Sequence, residues 1–192
     1  MKRVAGLIAA LVLALPVTAA ELGDDGLHKT GWMRDTFKDL REDLAEANAE
    51  DKRLMLIVEQ RGCIYCTRMH EEVFPRPEID SFIRENFFVV QLNLHGNIEI
   101  TDFDGESLAE KAAARKWGLL FTPSILFLPE EVPEGQSAGE AAVALMPGAF
   151  EAPTMLDLLT WVEEKRYELD GDEDFQRYHA RRIRERAAAE AQ

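Results

Sequence analysis

Cys63 and Cys66 are the only cysteines among 192 residues, and they lie in the run 54–70, Leu-Met-Leu-Ile-Val-Glu-Gln-Arg-Gly-Cys-Ile-Tyr-Cys-Thr-Arg-Met-His. The apolar stretch 54–58 reads as a buried strand, Gly62 as part of a short turn, and the cysteines as the opening of a helix. Strand, turn, Cys-x-x-Cys, helix is the setting in which this motif reads as a thiol–disulfide redox centre. A purely structural disulfide is the bland alternative. The loop it would close is so short that chain entropy gives it only about 2 kcal/mol, and a chain of this length buries a core without staples. A zinc site needs four ligands, and no second cysteine pair exists to complete one. Haem attachment needs His directly after the second cysteine, where Thr67 stands.

The first twenty residues have the layout of a secretory signal peptide: Lys2 and Arg3, an apolar run over 4–15, then Val17-Thr-Ala-Ala20. Cleavage after Ala19 or Ala20 fits, and an uncleaved anchor is the alternative. The apolar run is short for a bilayer span. Export to the periplasm would place the cysteines where disulfides persist. The formal charge is −14, and two units more negative without Lys2 and Arg3. Such a surface repels nucleic acid and anionic lipid. No later run is long and apolar enough to span a membrane, so the mature chain is expected not to be membrane-spanning.

The remaining chain reads as one α/β domain over 32–168, between a flexible start at 21–31 and a charged tail at 169–192. Residues 32–49 place Phe37, Leu40, Leu44 and Ala47 at helical spacing. The strand at 54–59 follows, and the Cys63 helix extends to Phe74, where Pro75 and Pro77 break it. A short helix at 78–86 leads to a second strand at 87–93, whose continuous apolar start suggests burial on both faces. Residues 95–106 read as a loop. Ser107 and Glu110 have the spacing of a capping box for a helix over 108–117 that ends at Gly118. A third strand spans 121–128 with Pro123 at its entrance, 129–140 read as a long loop, 141–146 as an edge strand, and a last helix begins at Pro153 and runs to about Tyr167. The Arg-rich tail reads as a solvated helix that frays, docking on the body being the alternative. Trp32, Trp117 and Trp161 read as core or rim aromatics, and His28, His95 and His179 share no spacing and receive no role.

This order of elements resembles the thioredoxin superfamily, through Cys63-Ile-Tyr-Cys66 after a buried strand and Thr122-Pro123 opening a later one. Within it, Glu59-Gln-Arg-Gly-Cys-Ile-Tyr-Cys and Phe121-Thr-Pro-Ser-Ile-Leu-Phe-Leu look most like periplasmic thioredoxins of the SoxW type, which are associated with sulfur oxidation. The run Cys-x-Tyr-Cys-x-x-x-His, with Thr before the proline, also resembles the periplasmic isomerase DsbC, although no separate dimerisation domain is visible. The resemblance implies a thioredoxin fold, a central mixed β-sheet flanked by helices on both faces. It also implies that Thr122-Pro123 forms a cis-proline loop beside the redox pair. That loop would offer backbone groups to an extended client, with Ile64 and Tyr65 shaping the contact surface. Two departures stand out. Gly62 replaces the family's Trp before the first cysteine, and Ile57 replaces its buried acid six residues before it.

Glu59 lies two residues after Ile57, on the same face of a strand. It either takes over part of the missing proton handling or points to a solvated rim. Cys63, at the helix start, is expected to be the nucleophile and Cys66 the resolving thiol. His70 shares their helical face and could tune a thiolate, help hold a metal or simply be a partly exposed helix residue. The leading expectation is an exported oxidoreductase that reduces protein disulfides, with no cofactor beyond its own Cys63–Cys66 pair and no resident metal. Its partners would be a disulfide-bearing client and a membrane electron donor. A disulfide isomerase is the close alternative. A copper(I) carrier using Cys63, Cys66 and His70 is the alternative from another class.

Overall fold

The computed structural model describes residues 21–169 and 173–191; the signal-peptide reading of residues 1–20 lies outside them. Alternation with a period of two along residues 53–59 sets the layers. Met55 and Ile57 face one apolar cluster, with Met69, Phe74, Ile83, Phe87, Phe127, Leu158 and Trp161. Leu54, Leu56 and Val58 face another, with Leu40, Leu44, Phe88, Val90, Trp117 and Leu126. A strand buried on both faces needs helices on both, and the chain supplies them.

The described chain opens with β1 (Glu21–Leu22) and β2 (His28–Lys29), an antiparallel ribbon, and β3 (Met33–Arg34). Helix α1 (Leu40–Ala49) follows, its N-terminus capped by the Asp39 carboxylate accepting from the backbone N–H groups of Arg41 and Glu42. Then come β4 (Arg53–Glu59), α2 (Ile64–Arg68), which continues into a π-helical turn at Met69–Val73, and α3 (Pro77–Asn86). After β5 (Phe87–Asn93), the hairpin β6 (Glu99–Thr101) and β7 (Ser107–Ala109) leads into α4 (Glu110–Lys116). The last elements are β8 (Ser124–Phe127), α5 (Ala138–Ala141), β9 (Ala144–Pro147), α6 (Ala152–Glu163), a 3₁₀ turn at Arg166–Glu168, and α7 (Phe175–Glu190). The main sheet has the order β3-β5-β4-β8-β9. Its β3, β5 and β4 are parallel, and β8 and β9 run antiparallel to their neighbours. It is therefore the mixed sheet, covered on both faces, that the resemblance implied.

Five local readings need correction. The helix placed at 32–49 starts only at Leu40. Lys38 adopts φ 59°, which breaks any helix across it, Met33–Arg34 pair with β5, and Phe37 is 95 % exposed. The start at 21–31, read as flexible, is the β1–β2 ribbon, with Leu27 buried and Gln91 hydrogen-bonded to it. Ser107 caps nothing. It pairs with Thr101 in the β6–β7 hairpin, and α4 begins at Glu110 after Ala109. The capping box lies instead at Ser137 and Glu140, inside the stretch read as a long loop. Finally, the Arg-rich tail docks. Tyr178 is buried, and Arg186 makes two hydrogen bonds to the buried carboxylate of Asp157 on α6, at 2.8 and 2.9 Å. An apolar ring and a paired buried charge outweigh the fraying of a mostly polar helix.

Asp43 on α1 is buried, 3 % exposed, and accepts from Thr36 Oγ1 at 3.2 Å. Burial pushes its pKa up to about 6, with Asp39, Glu46 and Glu42 adding to the rise and the Thr36 hydroxyl offsetting part of it. The raised value means that the proton is held more tightly in the folded chain. The stabilisation is complete below the unfolded pKa of ~3.9 and is lost as pH rises through about 6. Asp43→Asn keeps an acceptor for Thr36 and carries no charge. Urea unfolding should find it more stable than the parent by about 2 kcal/mol at pH 7.5, with the difference vanishing below pH ~4.

Candidate active site

The C-terminal end of β4 delivers the chain to the reactive pair. Gly62 takes φ +72°, a conformation that side chains rarely adopt, and turns the backbone into α2. Cys63 is the N-cap of that helix. Cys63 and Cys66 are joined in a disulfide, with their Cα atoms 5.2 Å apart. Cys63 is 6 % exposed and Cys66 is fully sealed, so solvent and partners meet Cys63 first. Two donors point at the Cys63 sulfur: the Cys66 backbone N–H at 3.0 Å and the Thr122 hydroxyl at 3.3 Å. Both would favour a thiolate over a thiol there, because donors stabilise the charged form.

Thr122 comes from the loop that enters β8, where the Thr122–Pro123 peptide is cis. Pro123 is buried, and its carbonyl accepts from Gly148 N–H at 2.7 Å, which ties this loop to the end of β9. A cleft of about 630 Å³ opens along Cys63, with Ile64, Tyr65, Leu94, Phe121 and Thr122 among its walls. Ile64, Tyr65, Leu120 and Phe121 are all exposed apolar or aromatic groups around it. Sequence reasoning singled out the first two; Phe121 read as the first residue of a strand and Leu120 lay just before it, so nothing marked them as a rim.

Glu59 and His70 lie behind the pair rather than at the rim. Glu59 continues the Met55–Ile57 face of β4 and is fully buried. Its Oε1 lies 2.9 Å from His70 Nε2, and its Oε2 accepts from Gln91 Nε2 at 2.7 Å. The solvated-rim reading of Glu59 and the exposed-helix reading of His70 are thereby overturned. The π-helical turn, where one residue more than usual fits into a turn, carries His70 in the buried face with Met69 and Val73. His70 Nδ1 has no hydrogen-bond partner among the described residues. His28, which sequence spacing left without a role, stacks on His70, with ring centroids 4.6 Å apart and planes 12° apart. Burial, and then the neighbouring His70, hold the His28 imidazole below its ordinary range, while Glu59 and Glu71 pull the other way.

Gln91 binds this group to the ribbon. Its Nε2 also donates to the His28 carbonyl at 2.7 Å, and its Oε1 accepts from Lys29 Nζ at 2.7 Å. The cluster of potential metal ligands that includes His70 therefore consists of His28, Glu59 and His70, not of the two cysteines. The copper(I) set of Cys63, Cys66 and His70 is not assembled among the described residues. His95 pairs with Gln60 on the exposed surface, and His179 sits against Asp157 at 2.7 Å, both away from the cluster.

A mixed sheet with a Cys-x-x-Cys helix start on one strand and a Thr-Pro entry on the next defines a thioredoxin-type protein, and residues 40–160 match the thioredoxin-like domain family, to which this chain belongs. Among solved structures, a thioredoxin-fold protein from Helicobacter pylori is similar at 18 % identity, with 72 % of this chain and 86 % of that one covered and a TM-score of 0.54. A thioredoxin from Thermus thermophilus is similar at 20 % identity, over 65 % of this chain and 83 % of that one, with a TM-score of 0.49. No curated protein sequence matches the chain. Among the described residues, no helix is long and apolar enough to cross a membrane.

Proposed function

We propose that this chain is an exported thiol–disulfide oxidoreductase of the periplasm that acts mainly as a reductant of protein disulfides. The observation that carries this reading is the environment of Cys63. Its sulfur opens to an apolar-rimmed cleft, takes two hydrogen bonds, and is bonded to a sealed partner, Cys66.

In the reduced form the Cys63 thiolate attacks one sulfur of a client disulfide, and the other client sulfur leaves as a thiolate and takes up a proton. The mixed disulfide is then resolved. Cys66 gives up its proton and attacks the Cys63 sulfur, and the second client sulfur departs. Two electrons pass to the client, whose second sulfur also leaves as a thiolate; of the two protons it takes up, one balances that lost by Cys66 and the other comes from solvent, and the Cys63–Cys66 disulfide forms. Moving a thiol from a pKa of ~8.5 to ~7 requires about 2 kcal/mol of preferential stabilisation of the thiolate. The start of the helical run 64–73 supplies roughly 0.3–2 kcal/mol of it, and the Thr122 hydroxyl adds a donor. Glu59, a buried carboxylate held by His70 and Gln91, would be the group that exchanges the proton Cys66 must lose. A client would lie extended across Thr122-Pro123, with Ile64, Tyr65 and Phe121 against its apolar side chains. The reducing direction and the setting rest on the SoxW-type resemblance: the client would be a sulfur-oxidation carrier or another envelope protein, and a membrane electron donor would re-reduce Cys63–Cys66.

The test is reduction of insulin disulfides by the purified chain with a dithiol as electron source, followed by measurement of its potential against glutathione. Activity above the dithiol background with a potential in the reducing range supports the reading. A chain that does not accelerate the reaction overturns it. The Cys-x-Tyr-Cys-x-x-x-His run keeps the isomerase as a second reading. Recovery of activity by a scrambled disulfide substrate, with an oxidising potential, would favour it instead.

A further inference from the structure

We propose that His28, Glu59 and His70 form a binding site for one divalent transition-metal ion of the zinc type, behind the disulfide and built without the cysteines. One ligand atom from each of the three lies within 4.8 Å of the others. Two imidazoles and one carboxylate make a donor set that suits zinc, with a fourth position left to water. Bonds of about 2.0–2.1 Å in a tetrahedral site put neighbouring ligand atoms roughly 3.3 Å apart. Glu59 Oε1 and His70 Nε2, at 2.9 Å, are already close to that spacing. Both are held by the core, Glu59 at the end of β4 and His70 in the π-helical turn.

His28 is the adjustable member. It is half-buried on the β1–β2 ribbon, and its ring lies flat on His70, so it must turn to present a nitrogen to the ion. His70 keeps a spare nitrogen: its Nδ1 is buried without a hydrogen-bond partner among the described residues, while its ring is held by Glu59 at Nε2 and by packing against His28 and Phe74. For an ion to be taken at Nε2 of a neutral ring, the hydrogen shared with Glu59 moves to Nδ1, the nitrogen that has no hydrogen-bond partner among the described residues. Gln91, which donates to Glu59 Oε2 and to the His28 carbonyl, orients the carboxylate from outside. An occupied site would fasten the ribbon to the sheet and take Glu59 out of proton exchange.

The test uses the tag-free chain with its disulfide closed, so that no thiol can serve as a ligand and the result is independent of exchange activity. Zn²⁺ is titrated in competition with a chromophoric chelator, and Co²⁺ is added separately for its visible spectrum. The expected result is one ion per chain, a four-coordinate Co²⁺ spectrum, and affinity that falls as pH drops from about 7.5 to 6. His28→Ala, a change on a half-buried ribbon, should weaken Zn²⁺ binding at least tenfold while circular dichroism stays unchanged. His95→Ala and His179→Ala should bind as the parent does. A dissociation constant weaker than about 100 μM for the parent, or parent-like binding by His28→Ala, would overturn the proposal.

Discussion

A chain carrying Cys66→Ser accumulates covalent adducts with its clients, and one carrying Cys63→Ser accumulates none. The asymmetry follows from exposure. Cys63 is 6 % exposed and Cys66 is fully buried, so a client would reach the Cys63 sulfur first. Without Cys66 the mixed disulfide on Cys63 has no internal attacker and waits for an external thiol. Without Cys63 the first bond never forms, and disulfide reduction should fall by on the order of a thousandfold or more, as for loss of any nucleophile that acts as a unit with its partner. The adducts are read on a non-reducing gel of extracts from the native host and are released by dithiothreitol; mass spectrometry of the released proteins names the client. Equal trapping by both variants would reverse the assignment of nucleophile and resolving thiol.

The second large effect concerns Glu59. Glu59→Ala removes the acceptor from two buried donors, His70 Nε2 and Gln91 Nε2. Each stranded donor costs about 1–3 kcal/mol, although Gln91 keeps its bond to the His28 carbonyl. The expected loss is about 3 kcal/mol in urea unfolding. Glu59→Gln fills the same volume and still offers one acceptor, so a loss of about 1–2 kcal/mol is expected. That variant isolates the chemistry. If Glu59 takes the proton from Cys66, Glu59→Gln slows resolution of the mixed disulfide and flattens its dependence on pH between about 6 and 9. Stopped-flow reduction with the parent pH profile would mean that Glu59 serves packing only.

The parts of this site that were legible in the sequence are those whose partners are close along the chain. The strand before Gly62, the helix after it and the cysteine spacing are local patterns, and so is Thr122-Pro123 before an apolar strand. What was not legible depends on distant polar partners. Glu59 is buried because Gln91, on the neighbouring strand, and His70, across the helix turn, meet its two oxygens. Nothing in the residues around Glu59 announces either. His28 was passed over because its relation to His70 exists only once the ribbon has docked. Capping boxes show the same limit. Ser107 and Ser137 both precede a Glu by three residues, yet Ser107 is committed to a hairpin with Thr101, and only Ser137 caps a helix. In α7, the sequence displays the arginines, but the buried carboxylate that receives Arg186 belongs to the preceding helix.

The ribbon at 21–29 and helix α7 both fall outside the span that matches the family, 40–160. The ribbon is the lid over the acid: Gln91 reaches His28 and Lys29 on its far side and Glu59 on its near side. A version trimmed to the shared span would lose His28 and Lys29, and with them the ribbon's half of the Gln91 bridge and the ring stacked on His70. If Glu59 exchanges the Cys66 proton as proposed, the trimmed version would resolve its mixed disulfide with a different pH dependence from a chain that keeps the ribbon. Kinetic work on this chain therefore belongs on a version that keeps the ribbon.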